Sequence, residues 1–248
     1  MSFALETRNL GKRFGGFVAT NDVSLQVKPG ARHALIGPNG AGKTTLINLL
    51  TGALSIDNGQ IFLEGEEITG IAAHKRVAKG LARTFQINQL FQDFTPLDSM
   101  MLAIGERKGH GKLIWRALSR DRQVAEEAAA VLERFRLADV MDRPTSLLPY
   151  GKQRLLEIAL AIALKPRVLL LDEPAAGVPE EERHEVLSIV RALPEDVTVV
   201  LIEHDMDLVF SFADRISVLA AGAIFAEGTV AEISKDPRVK AIYLGEDA

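Results

Sequence analysis

The amino-acid sequence predicts an α/β fold with a mainly parallel sheet and crossover helices. Three observations carry that expectation. "VLLLDEP" at 168–174 and "VTVVLIEH" at 197–204 are continuous apolar runs ending in acidic residues or a histidine, the form of strands buried on both faces. A helix over about 180–193, with Val186, Val190 and Leu193 on one face, separates them, as a crossover between parallel strands requires. A glycine-rich loop, "GPNGAGKT" at 37–44, lies between a strand ending at Ile36 and a helix starting at Lys43.

The other elements follow in chain order. Residues 3–36 read as short strands; Val23, Leu25 and Val27 alternate with polar neighbours, and Pro29-Gly30 turns the chain into "RHALIG". "KTTLINLLTG" is helical with Gly52 as its stop, followed by a turn at Asp57-Asn58-Gly59 and a strand at 60–64. Between about 86 and 164 the texture is helical, and Val124, Ala128, Val131, Leu132 and Phe135 mark one apolar face. "GERKGHGK" at 105–112 is expected to be an exposed loop. No internal repeat, low-complexity tract or linker divides the 248 residues.

Composition narrows the function. A hydrophobic content of 47% supplies a core without staples, and the absence of cysteine removes disulfides, thiolate metal sites and thiol nucleophiles. A net charge of -4 with scattered Lys and Arg gives no electrostatic footprint for nucleic acid. The start, "MSFALETRNLGKRF", lacks the apolar core of a secretory signal, and the longest apolar stretch, 216–226, is shorter than the ~20 residues that cross a bilayer. A cytoplasmic chain that meets membrane only through a partner is expected.

"GPNGAGKT" satisfies G-x-x-x-x-G-K-[ST] in its strand-to-helix context. Gly37, Gly40 and Gly42 let backbone N–H groups converge on phosphate oxygens at a helix N-terminus. Lys43 reaches the β and γ phosphates, and the Thr44 hydroxyl suits Mg²⁺. Asp172, at the end of a buried run, suits the metal shell and Glu173 a water-polarising base; alternatively the pair is a plain helix cap or solvated turn. His204, beside Glu203 and Asp205, is either functional or a satisfied structural histidine. "LLPYGKQRLLEIA" at 147–159 starts a helix without acidic caps, and its Lys152 and Arg154 are expected to meet an anion.

In order, "GPNGAGKTT", "RTFQ", "LPYGKQR", "LLLDEP" and "IEHD" resemble the ATP-binding subunits of ABC transporters over essentially the whole chain. The resemblance implies a P-loop NTPase (RecA-like) core with an N-terminal antiparallel β subdomain and an inserted α-helical subdomain. One domain, 1–248, would comprise a core of about 1–86 and 165–248 and helices at about 87–164. It implies ATP and Mg²⁺ as ligands. The nucleotide would lie on Gly37, Asn39, Gly40, Ala41, Gly42, Lys43, Thr44 and Thr45, with Phe14 stacked on adenine unless that ring is core. Gln86 would sense the metal or attacking water, Thr44, Gln86 and Asp172 would serve the metal, Glu173 would be the base and His204 the γ-phosphate switch.

Leu148, Pro149, Tyr150, Gly151 and Lys152 resemble the family signature, which faces the ATP of a second subunit. Pro149 stands where the family carries serine and has neither hydroxyl nor N–H, and Pro179 stands where many relatives carry Asp. A functioning but slow ATPase is the expectation. "ARTFQINQLFQDFTPLDSMMLA", "DEPAAGV" and "DPRVKAIYLGEDA" resemble the ATPases of branched-chain amino acid importers, whose relatives handle urea, amides or carboxylates. That implies transmembrane permease subunits docked near 87–115, with Phe91, Phe94, Met100 and Met101 as apolar candidates unless they are core. It also implies a second ATPase, identical or a paralogue, an external solute-binding protein, and a peripheral place on the cytoplasmic face of the membrane. Two rivals stay open: a non-transport ABC ATPase in an assembly process, and an ATP-binding subunit that leaves most hydrolysis to a more active paralogue.

Overall fold

A computed structural model describes residues 2–84, 90–109 and 121–244. The chain clusters into two compact units: Met1–Arg83 with Arg167–Glu173 and Arg191–Ala248, and Thr84–Pro166 with Pro174–Val190.

The first unit carries two sheets. Among the described residues, β1 (Leu5–Phe14), β2 (Phe17–Val23), β3 (Gln26–Val27), β5 (Asn58–Leu63) and β6 (Glu66–Glu67) form an antiparallel sheet in the order β2-β1-β5-β6, with β3 also on β1. The second sheet runs β11-β10-β4-β9-β8-β7, from β4 (Arg32–Ile36), β7 (Leu81–Arg83), β8 (Val168–Asp172), β9 (Thr198–Ile202), β10 (Arg215–Ala220) and β11 (Ala223–Thr229). All of its pairings are parallel except the β10–β11 hairpin at the edge. Every residue of β4, β8 and β9 is buried, which is why β8 and β9 read as near-continuous apolar runs rather than alternating ones. Leu46, Ile47, Leu49 and Leu50 of α1 (Lys43–Thr51) belong to the same core as Leu35, Leu170, Val200 and Ile202.

Buried arginines finish what the helices and strands leave open. The last carbonyls of a helix have no partner inside it. Those of Leu49 and Leu50 accept from Arg76 Nη1 at 2.8 and 2.5 Å, and Arg76 reaches Ile71 and Thr69 with its other nitrogens. Arg76 belongs to α2 (Ala73–Ala78). Arg32 likewise donates to the carbonyls of Leu193 and Val197, closing the turn before β9.

The second unit holds α3 (Pro96–Arg107), α4 (Arg122–Arg134), α5 (Tyr150–Ala163) and most of α6 (Glu180–Arg191). Thr95 and Asp98 form a capping box at the start of α3, and Asp121 caps α4. The expected α4 stripe is present: Val124, Ala128, Leu132 and Phe135 are fully buried, and Val131 half so. Arg107 ties three segments by donating to the Ala163 carbonyl and to Glu127 at 2.6 and 2.7 Å.

Two local expectations change, and one open alternative is decided. Residues 105–107 are the last turn of α3, with Gly105 buried, because the capping box starts that helix early enough to carry it through "GER"; residues 110–112 lie outside the described set. The strand after α1 begins at Asn58, so the expected turn residues Asn58 and Gly59 already lie in β5, Asn58 opposite Gly11 of β1 and Gly59 at an irregularity of the pairing. Met100 and Met101 are core residues on the buried side of α3, whereas Phe91 is 62% exposed and Phe94 half-buried.

A polar chain runs from buried His33 across three strands of the second sheet to exposed Glu227. His33 Nε2 lies 2.8 Å from Ser217 Oγ, which donates to Glu227 at 3.0 Å. Burial pushes the His33 imidazole down to about 4, with Glu227 opposing and Arg215 assisting. Between its ordinary value near 6.5 and about 4, the unfolded chain therefore binds a proton that the folded one refuses. Stability is expected to rise with pH through that window, by up to ~3 kcal/mol, and to rise less in His33→Gln. Denaturant unfolding of both proteins at about pH 4.5 and about pH 7 measures the difference.

Candidate functional site

The parallel register fixes the site. Leu35 of β4 pairs with Ile202 of β9, and Ile202 pairs with Asp172 of β8, so three neighbouring strands end side by side. The next residues along each are Gly37, Glu173 and Glu203-His204. Ligands of open parallel sheets bind at such carboxyl ends.

At the first end the loop curls back into α1. Gly42 caps the helix in the left-handed region at φ 101°, and a Cβ there would lie 2.3 Å from the Ala19 carbonyl oxygen. Neither a capping side chain nor an acidic residue occupies the first turn of α1, so its N–H groups and the positive end of its dipole face outward. Lys43 folds onto the loop, Nζ donating to the carbonyls of Gly37 and Pro38 at 2.6 and 3.0 Å. Burial lowers the pKa of Lys43, while Glu173 and Asp172 pull it back up, which places both carboxylates in its field. Asn39, Gly40 and Thr44 are exposed, Gly42, Lys43 and Thr45 half-buried, and Gly37 and Ala41 buried beneath them.

At the second end, Asp172 is buried and its Oδ2 accepts from Arg83 Nη2 at 2.8 Å. The solvated-turn alternative is thereby removed. Glu173 stands in the left-handed region at φ 47°, held by its N–H to the Ile202 carbonyl at 3.0 Å. A non-glycine residue there carries backbone strain of the kind found at working sites. At the third end the His204 side chain is 63% exposed, with Nδ1 3.4 Å from Glu173 Oε1 and 3.8 Å from the buried Glu203. His204 is therefore no core histidine. Asp205 caps α7 (Met206–Phe212), accepting from the N–H groups of Asp207 and Leu208.

Phe14 closes the β1–β2 hairpin and is 49% exposed, so it is not core; Lys12 Nζ stands 5.8 Å from its ring. Its cross-strand partner Phe17, also exposed, went unnoticed in the sequence although the Gly15-Gly16 turn signals the pairing. Arg83 was likewise passed over inside "RTFQ". Gln86 lies outside the described residues.

The second unit carries the signature-like residues. Pro149 caps α5 without a side-chain bond, Leu148 is buried, and the Tyr150 ring packs against Gly177 so closely that a Cβ there would lie 2.9 Å from it. Both basic residues have partners within this unit. Lys152 donates to the Arg136 carbonyl and pairs with Asp139 at 3.2 Å. Arg154 is fully buried, bound to the Pro174 carbonyl at 3.0 Å and to Glu157. The carboxylate nearest the α5 tip is internal: a Cβ on Gly151 would lie 2.1 Å from Glu182 Oε2. Glu182, also unforeseen, is brought there by α6, and Pro149, Gly151, Lys152, Leu155, Glu182, Glu185 and Val186 line a cavity of about 240 Å³.

For a divalent cation the first unit offers hard oxygen donors only, the Thr44 hydroxyl and the Asp172 carboxylate. Among the described residues no group of three His, Cys, Asp or Glu could hold a metal alone. That fits Mg²⁺, which takes one or two protein oxygens and completes its shell with phosphate and water.

A phosphate loop, an aromatic hairpin tip and an acid pair at parallel strand ends define a P-loop nucleotide-binding protein. The ABC transporter family profile matches residues 20–176, and that of branched-chain amino acid ATP-binding cassette transporters matches 223–248. The chain is 42% identical over 249 residues to the high-affinity branched-chain amino acid transport ATP-binding protein BraF of Pseudomonas aeruginosa, covering 98% of each. It is 39% identical to LivG, of the same description, from Escherichia coli K12, again covering 98% of each. The ADP conformation of an ATP-binding cassette of an ABC transporter superposes with a TM-score of 0.85 at 33% identity, covering 99% of this chain and 100% of that one. This chain belongs to the ABC transporter family, in its branched-chain amino acid ATP-binding group.

Two charge-assisted bonds from Lys43 to phosphate are together worth ~3 kcal/mol or more. Lys43→Ala is expected to weaken ATP binding about a hundredfold. Phe14→Ala should cost about tenfold, from lost stacking area. Isothermal titration with ATP in excess magnesium checks both.

Proposed function

We propose that this chain is the ATP-hydrolysing subunit that energises an ABC importer of branched-chain amino acids or a related small solute. The observation that carries this reading is the shared edge of β4, β9 and β8. It sets the phosphate loop, Asp172, Glu173 and His204 on neighbouring strand ends. The identity to BraF and LivG over nearly the full chain supports the cargo class.

In this mechanism the loop N–H groups and Lys43 exchange their present partners for ATP phosphates, and Phe14 stacks on the adenine. Glu173 accepts the proton of the attacking water. His204, within 3.4 Å of Glu173, holds that carboxylate's orientation and reaches the γ-phosphate from its exposed position. Thr44 and Asp172 would hold Mg²⁺, with Gln86 as a further ligand, and the ion would supply positive charge to offset that of the phosphates.

Glu182 beside Gly151 and Pro149 at the α5 cap support a second reading, weak hydrolysis beside a more active paralogue. A second ATPase subunit, a copy or a paralogue, would present its own α5 tip to this nucleotide. No described helix is long and apolar enough to cross a membrane, so the membrane contact is assigned to permease subunits. Phe91 and Leu147, both exposed, belong to adjoining segments, Ser146 N donating to the Gln92 carbonyl at 3.0 Å, and offer an apolar contact on the cytoplasmic face. The external solute-binding protein would select the cargo.

Glu173→Gln is expected to reduce ATP turnover at least ~100-fold while ATP still binds. Undiminished turnover would remove the base assignment. Pro149→Ser restores a hydroxyl and an N–H at the α5 cap, and should raise turnover or ATP-dependent dimerisation; unchanged kinetics and sedimentation would count against position 149.

A further inference from the structure

Strand β7 ends on Arg83, and its guanidinium joins two elements of the nucleotide cradle. Nη2 donates to Asp172 Oδ2 at 2.8 Å and Nη1 to Asn48 Oδ1 at 2.6 Å. Only 12% of the Arg83 side chain and 6% of the Asp172 side chain are exposed. Asn48 lies one turn after Thr44 on α1, so the two share a helix face. One rigid fork thus spans from the face that carries the Thr44 hydroxyl to the acid on the next element. The phosphate grip itself uses the loop amides and Lys43, and none of its groups is among these contacts of Arg83.

Two effects of opposite sign bear on a cation at this place. The guanidinium adds positive charge beside Asp172, which repels a second cation. It also fixes a carboxylate that would otherwise sample several rotamers, and a small octahedral ion tolerates little misplacement of its oxygen ligands. In metal sites, groups that orient a ligand through hydrogen bonds typically contribute 10–100-fold in affinity. With Asp172 already buried and bonded, orientation is the larger effect.

We propose that the Asn48–Arg83–Asp172 bridge is a positioning device that sets how tightly the site holds the divalent cation accompanying its nucleotide. This rests on the assignment of Thr44 and Asp172 to that cation. Arg83 is a positioning residue and touches neither nucleotide nor ion. Lysine cannot replace it, because an ammonium on a flexible stem does not span two acceptors in a fixed plane.

The test is calorimetric titration of the full chain with ADP, first in EDTA and then at rising Mg²⁺, which needs no turnover. Arg83→Lys and Asn48→Ala are each expected to leave the EDTA affinity within about twofold, and to raise the Mg²⁺ concentration that half-maximally tightens ADP binding by about tenfold. An unchanged magnesium midpoint in the folded variants overturns the proposal, as does an equal loss with and without magnesium, which would make the bridge part of the phosphate grip. Should Arg83→Lys fail to fold, Asn48→Ala, which removes one neutral acceptor, decides alone. A wild-type chain that binds ADP tightly in EDTA with no response to magnesium overturns the Thr44–Asp172 assignment, and the proposal with it.

Discussion

The parallel ladder linking β4, β9 and β8 is the constraint on which the functional site depends. Its hydrogen bonds set the register in which Leu35, Ile202 and Asp172 stand level, and the phosphate loop, Glu173 and His204 follow directly from those strand ends. A slip of one residue along β8 would turn Asp172 to the opposite face of the sheet. The register is protected because all three strands are buried throughout, so any slip would expose apolar side chains or bury polar ones. The apolar core around Leu35, Leu170 and Val200 is in this sense also the alignment of the chemistry.

Several charged side chains work inside the protein. Arg32, Arg76 and Arg154 are each nearly or fully buried and each donates to backbone carbonyls at helix ends or turns. Burial lowers the pKa of Arg32 and of Arg76, yet guanidinium stays charged because its ordinary value is so high. The planar fork suits this duty: in Arg76 it satisfies the carbonyls of Leu49 and Leu50, where α1 ends.

Those same arginines explain where the sequence was legible and where it was not. The loop at 37–44 and the acid pair at 172–173 are local patterns whose chemistry follows from spacing, and both sit where the spacing puts them. The apolar stripe of α4 is equally local. Arg154 misleads because a basic residue near a helix start has the same appearance whether it faces solvent or reaches back to Pro174, a residue 20 positions away. Lys152, by contrast, stays partly exposed, with Arg136 and Asp139 as its partners. Arg83 was in plain sight within "RTFQ", but its partners lie 35 and 89 residues distant, a separation that no periodicity reports. Met100 and Met101 show the reverse case: apolar residues near a segment expected to dock a partner, claimed by their own helix core.

The left-handed backbone at Glu173 has a further consequence. Glycine would adopt φ 47° there without steric cost, so the side chain at this position is held against the backbone's own preference. Glutamate holds this conformation at a steric cost, tied to the neighbouring strand by its N–H to the Ile202 carbonyl. Durability and turnover are thereby set against each other at a single peptide unit.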